Sequence, residues 1–225
     1  MNYEEPTFEE ASANWVVKNI RVGDKDALVI DNWYSDEELR KVFVEFDYYM
    51  NNGLDNLIKS ETDSSTARTK EGGSKAKTYR FYIDPTKFSA LYRYNYKYMS
   101  DEFGKMVLDN TIFGGYLNNT RKNSLMVNYY EEGKYYKSHT DVSVVTQLTW
   151  LFREPKMFDG GDLILTDMGE TIECVHNRTV FFPGFYPHEV TKVTMSEEWN
   201  QLSDAVKWDT GGGYYGRFSI ANFFN

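Results

Sequence analysis

Leu125-Met126-Val127-Asn128-Tyr129-Tyr130, then Glu131-Glu132-Gly133-Lys134, then Tyr135-Tyr136-Lys137-Ser138-His139-Thr140-Asp141 reads as two strands joined by a short turn. Aliphatic and aromatic residues suit a pleated, half-buried surface, and Glu-Gly breaks the run between them. The same alternation of apolar run and turn continues to the end of the chain. Candidate strands follow at Val144–Phe152, Asp162–Thr166, Thr171–Val175, Arg178–Phe182, His188–Thr194 and Arg217–Phe224. Asp159-Gly160-Gly161, Asp167-Met168-Gly169 and Pro183-Gly184 separate several of them. Eight short strands at such spacing predict a mainly β domain, a sandwich or a jelly roll.

Upstream the pattern changes. Ala27-Leu28-Val29-Ile30 is a strand candidate ending at Asp31-Asn32. Ser35 with Glu38 forms a capping box, which opens a helix carrying Leu39, Val42, Phe43 and Phe46 at helical spacing. A second helical region is expected over 85–109, where Phe88, Leu91, Asn95 and Tyr98 suggest one face. Ser100 caps its second segment, which carries Phe103, Met106 and Val107. Residues 59–77 are polar and contain Gly and Ser, as a surface connection or a substrate-covering lid would. The whole chain, 1–225, is read as one domain, with 1–123 mostly helical support and 124–225 the β core.

The chain has 225 residues, enough for a sizeable core, and no apolar stretch long enough for a membrane helix. Its start, Met1-Asn2-Tyr3-Glu4-Glu5, does not read as a secretion signal. Cys174 is the single cysteine, so no internal disulfide forms, and a reducing, cytoplasmic setting is the expectation. With 25 basic and 34 acidic residues, the net charge of −9 argues against general nucleic-acid binding. The aromatic content of 17% is read as β packing rather than as a base-stacking platform.

His139, Asp141 and His188 are the residues that carry chemistry. Two imidazoles and a carboxylate are the donor set of a ferrous site with open positions. On a strand, His139 and Asp141 would point to one face, and His188 follows a turn at a strand mouth. A hydrogen-bonded His–Asp pair inside the sheet is the structural alternative. His176, between two strand candidates, serves as a control and is read as a locally bonded or solvent-facing histidine. Cys174 is read as a small core residue. A Cys/His zinc site is disfavoured because no second cysteine exists. Arg217 lies in an apolar strand and needs an anionic partner, either a carboxylate of the chain or a bound dicarboxylate. Ser219 shares its strand face and adds a donor. Arg178 and Lys192 are the reserve cations.

With these motifs in their order, and with Gly160-Gly161-Asp162-Leu163, Phe181-Phe182-Pro183 and His188-Glu189-Val190 between them, the chain resembles the Fe(II)- and 2-oxoglutarate-dependent oxygenases, in particular the prolyl-4-hydroxylase-like branch. The resemblance runs from Met126 to the end. It implies a double-stranded β-helix, cupin-like, with supporting helices. It also implies Fe(II) on His139, Asp141 and His188, and 2-oxoglutarate with its distal carboxylate on Arg217 assisted by Ser219. Tyr130 and Thr149 match positions that contact the cosubstrate, and Tyr136 would lie near the metal. Dioxygen is the second cosubstrate, and ascorbate a possible reductant.

Two features depart from the family pattern. Arg217 follows His188 by 29 residues, a long interval read as a hairpin insertion over 196–215, and the prolyl-hydroxylase branch often carries lysine in that place. The reaction implied is hydroxylation of a C–H bond coupled to decarboxylation of 2-oxoglutarate to succinate. A peptidyl, proline-like substrate heads the expectations, with Arg68, Lys70, Lys75 and Lys77 in a loop that could order on a peptide. A free amino acid or other small molecule comes second. Nucleic-acid demethylation ranks last, and a non-enzymatic jelly-roll module is the reading from another class.

Overall fold

The computed structural model describes residues 7–51, 58–59, 76–77, 79–82, 89–94, 97–98, 100–120, 122–202 and 214–225. In chain order the first elements are α1 (Phe8–Ser12), β1 (Val16–Val22), β2 (Lys25–Asp31), α2 (Asp36–Asn51), β3 (Ile58–Lys59), β4 (Ala76–Lys77) and β5 (Tyr79–Tyr82). Then come α3 (Ala90–Tyr94), α4 (Asp101–Asn110), α5 (Gly114–Asn118), β6 (Asn123–Tyr130), β7 (Tyr135–His139) and β8 (Val145–Leu151). The remainder is β9 (Phe158–Asp159), β10 (Leu163–Leu165), β11 (Glu170–Ile172), β12 (Arg178–Pro183), β13 (His188–Val190), β14 (Thr194–Met195), α6 (Glu197–Gln201) and β15 (Arg217–Phe224).

Among the described residues, one sheet has the order β1-β2-β12-β8-β15-β6-β5-β3 and a second has β11-β10-β13-β7-β4. Every described pairing is antiparallel. The fold is the expected jelly roll, the double-stranded β-helix, with helices against the larger sheet.

The central strands β8 and β15 are buried almost throughout, because each face of the larger sheet meets a different layer. Side chains alternate faces along a strand. Val145, Leu151, Phe218, Ile220 and Phe224 therefore join a cluster with Val42, Phe46, Leu91, Phe103 and Val107 of the helices. Leu148, Trp150 and Ala221 join the cluster facing the smaller sheet, with Leu163, Leu165, Ile172 and Val190. That second space, between the sheets, holds the candidate site.

The sequence signals at the helix starts act as expected. The Ser35 N–H donates to Glu38 Oε2 at 2.8 Å and the Glu38 N–H donates to Ser35 Oγ at 3.3 Å, the reciprocal capping box of α2. Ser100 Oγ caps α4 by accepting from the Phe103 N–H at 3.1 Å. Within 85–109 the described helices are α3 and the Ser100-capped α4, the two segments expected, and Phe88 and Asn95 lie outside the described residues. β1, the hairpin partner of β2, escaped the sequence reading. In the 196–215 interval, Thr194–Met195 gives way to the Ser196-capped helix α6 rather than to a hairpin strand, and 203–213 lie outside the described residues. Most of the proposed 59–77 lid, with Arg68, Lys70 and Lys75, also lies outside them. No described helix is long and apolar enough to cross a membrane.

Candidate metal centre

His139 ends β7 and His188 begins β13, and the two residues are register partners across the antiparallel pair. Cross-strand neighbours bring their side chains together on one face, and the two imidazole centroids lie 4.2 Å apart. Asp141 reaches the same point by another route. β7 stops at His139, so the shared-face argument for a His-x-Asp strand does not hold. Asp141 lies in the loop beyond, anchored where its N–H donates to Gly184 O at 2.8 Å. The turn Pro183–Pro187 thus positions both the third histidine and the carboxylate.

The donor atoms of His139, Asp141 and His188 all lie within 4.8 Å of one another. His139 Nε2 is 3.7 Å from Asp141 Oδ1, and His188 Nε2 is 3.5 Å from Asp141 Oδ2. Each histidine directs Nδ1 at a backbone carbonyl two residues earlier, Lys137 O and Tyr186 O, both at 2.9 Å. A carbonyl only accepts, so in the neutral rings Nδ1 carries the proton and Nε2 keeps its lone pair. Both lone pairs then serve the cluster around Asp141, the arrangement a metal requires. Tyr136 stacks on His139 at 3.8 Å, and Phe182 meets the edge of His188 at 4.9 Å. These contacts fix the ring planes.

The three residues line a cavity of about 350 Å³. Its walls come from alternate residues of β6 (Met126, Asn128, Tyr130) and of β15 (Ser219, Ala221, Phe223), closed by Leu148 and Val190. Tyr130, Tyr136 and Ser219 therefore line the cavity. Asn128 was missed in the sequence. The period of two from Tyr130 would have placed it on the same face.

Arg217 continues the Ser219–Ala221 face of β15. It is fully buried, and Nε and both terminal nitrogens have no hydrogen-bond partner among the described residues. Its guanidinium lies 4.8 Å from the ring centre of Tyr130, which lines the cavity, and 5.3 Å from that of Trp150. Gly161 makes room for it, since a Cβ there would come within 2.8 Å of Arg217 Cδ. Burial pushes the adjacent Cys174 thiol up, which keeps it neutral and unable to act as a counter-charge. A buried guanidinium with no carboxylate partner among the described residues suits an anion from outside the chain. The residues thus fit both a divalent metal and an acidic cosubstrate. The reserve cations do not compete: Arg178 is held by Asp31, with NH2 to Oδ2 at 2.9 Å, and Lys192 is exposed.

Thr149 is corrected. Its hydroxyl bonds Thr179 Oγ1 at 2.7 Å and accepts from Gln147 Nε2 at 3.2 Å, on the face of β8 turned away from the cavity. Strand alternation gives the site Thr146, Leu148 and Trp150 instead, and the indole N–H of Trp150 is a further buried donor with no acceptor among the described residues. His176 is the locally bonded control, with Nδ1 accepting from the Phe152 N–H at 3.2 Å.

Residues 125–224 match the family model of the 2OG-Fe(II) oxygenase superfamily. The match spans 100 of the 225 residues and takes in His139, Asp141, His188 and Arg217, so the β half of the chain carries an oxygenase domain of that superfamily. It is a 2-oxoglutarate-dependent dioxygenase, and its family uses Fe(II), 2-oxoglutarate and dioxygen. No curated protein sequence matches this oxygenase. A prolyl-4-hydroxylase from Pseudomonas putida superposes with a TM-score of 0.56 at 14% identity, over 96% of this oxygenase and 95% of that chain. A Trichoplax adhaerens prolyl hydroxylase, solved in complex with a peptide fragment of the hypoxia inducible factor oxygen degradation domain, gives 0.54 at 15% identity over 88% and 82%. A Phytophthora capsici prolyl 4-hydroxylase gives 0.51 at 14% over 90% and 59%. At these identities the likeness is one of fold.

Proposed function

We propose that this oxygenase hydroxylates a side chain, proline-like in shape, within a peptide. His139, Asp141 and His188 would bind Fe(II), and Arg217 would hold the distal carboxylate of 2-oxoglutarate, with Tyr130 and Ser219 beside it. The observation that carries the reading is the His–Asp–His cluster on a cavity lined by Tyr130, with the buried Arg217 guanidinium against that ring and without a hydrogen-bond partner among the described residues. Bound there, Fe(II) and 2-oxoglutarate would supply, with dioxygen as the oxidant, the chemistry that couples oxidation of 2-oxoglutarate to succinate and carbon dioxide with hydroxylation of a C–H bond.

The chain's own residues do the rest. Lys137 O and Tyr186 O hold the two imidazole tautomers. Arg217 neutralises and orients the acid. Met126, Leu148, Val190, Ala221 and Phe223 give the cavity apolar walls that exclude water around a reactive oxidant. About 350 Å³ is near the lower end of the ~300–1,000 Å³ typical of ligand sites. Shared with a keto acid, it suits one inserted side chain better than an enclosed ligand. The apolar rim beside it supports the same choice: Val142 lines the cavity mouth and is 97% exposed. Phe185, half exposed, meets Tyr116 nearby at 6.3 Å.

The test is succinate release with Fe(II) and 2-oxoglutarate across prolyl peptides and free amino acids. Stimulation by peptides supports the proposal. Stimulation by free amino acids alone moves the assignment to small-molecule hydroxylation.

A further inference from the structure

We infer that Thr146 is a positioning residue that keeps Asp141 a one-oxygen ligand. The inference rests on the Fe(II) reading above and concerns how the carboxylate is presented. Thr146 Oγ1 lies 2.6 Å from Asp141 Oδ2, and Ser143 Oγ lies 2.8 Å from Thr146 Oγ1. An ionised carboxylate only accepts, so Thr146 commits its single hydroxyl proton to Asp141. Its oxygen then accepts the proton of Ser143. The chain of bonds has one direction, from Ser143 through Thr146 to Asp141. Thr146 is fully buried and Ser143 nearly so, where a hydrogen bond to a charge is stronger than in water.

The two carboxylate oxygens are thereby made unlike. Both oxygens face a histidine, Oδ1 at 3.7 Å from His139 Nε2 and Oδ2 at 3.5 Å from His188 Nε2, but Oδ2 also carries the Thr146 bond, whereas Oδ1 accepts no hydrogen bond among the described residues. Carboxylates bind metals through one oxygen or through both. A one-oxygen aspartate would leave more of a bound metal's positions open to the cosubstrates than a two-oxygen one would. The backbone cannot easily compensate. Asp141 N–H is tied to Gly184 O and Gly184 N–H to Val144 O at 3.1 Å. At Gly184 a Cβ would come within 2.2 Å of Ser143 O, so the two loops are packed at contact distance.

The test uses the full chain with Co(II) as the probe metal, titrated anaerobically and followed by visible absorption, with and without 2-oxoglutarate. Thr146→Val removes the donor at similar volume, and Thr146→Ser retains it. We expect Thr146→Val to bind Co(II) roughly 10–100-fold more weakly with an altered absorption band, and Thr146→Ser to restore both. Wild-type affinity and band in Thr146→Val, or no rescue by Ser, overturns the role of Thr146. Wild-type protein that takes up no Co(II) overturns the metal reading itself. Should Thr146→Val fail to fold, Ser143→Ala carries the test. A few-fold weakening of Co(II) binding supports the chain of bonds, and an unchanged affinity overturns it.

Discussion

Replacing Arg217 by Met should make the metal-free protein more stable while removing most of its response to 2-oxoglutarate. In wild-type protein the guanidinium is fully buried and none of its nitrogens is bonded among the described residues. Burying an uncompensated charge costs several kcal/mol even after relaxation. The rings of Tyr130 and Trp150 return part of this, about 0.5–2 kcal/mol for each cation–π contact. Met keeps the apolar stem against Gly161 and removes the charge, for a net gain of about 1–3 kcal/mol. For a chain of this size that raises the melting temperature by roughly 2–12 °C.

The cosubstrate should act in the opposite sense. A two-point guanidinium–carboxylate contact worth about 3 kcal/mol corresponds to roughly a hundredfold in affinity. At a hundred times Kd, 2-oxoglutarate stabilises wild-type protein by about 2.7 kcal/mol, and little of this should remain in the variant. Thermal unfolding under anaerobic conditions with Mn(II), scanned against 2-oxoglutarate concentration, reads both effects. A variant less stable than wild type when metal-free, yet with an unchanged 2-oxoglutarate shift, would refute the reasoning.

Three further outcomes are expected. His139→Ala and Asp141→Ala should each abolish Fe(II)-dependent succinate release while leaving far-UV circular dichroism intact, and full turnover in either removes it from the ligand set. Thr149→Val should leave the KM for 2-oxoglutarate unchanged and cost about 1–3 kcal/mol in urea unfolding, because Thr179 and Gln147 lose a buried partner; a raised KM would return Thr149 to the site. Burial lowers the pKa of His176 below its ordinary 6.5. The unfolded chain therefore binds the proton first, and stability should fall as pH drops below about 6.5 until the folded residue also titrates. Denaturation of wild type and His176→Phe between pH 7.5 and 5 should show a steeper acid loss in wild type, and parallel curves would contradict it.

Local chemistry carried much of this oxygenase into its sequence. Ser35 and Ser100 announced their helices because a cap needs only a hydroxyl and the next turn of backbone. The β half was legible because buried strands such as β8 and β15 carry large apolar residues on both faces. β1 was not, because it is an edge strand with Val16, Val17 and Val22 exposed and only Ile20 packed against the core, so apolar and polar residues do not alternate along it.

The same division holds at the site. Residue type and order nominated His139, Asp141, His188 and Arg217, since few chemistries require that set. What the chain order could not supply was the way they meet. The cross-strand register sets His139 against His188, and the Gly184 carbonyl draws in Asp141 from beyond its strand. Strand parity turns Thr149 outward and Thr146 and Trp150 inward. Those are relations between segments tens of residues apart, and they exist only once antiparallel pairing has fixed which backbone group faces which.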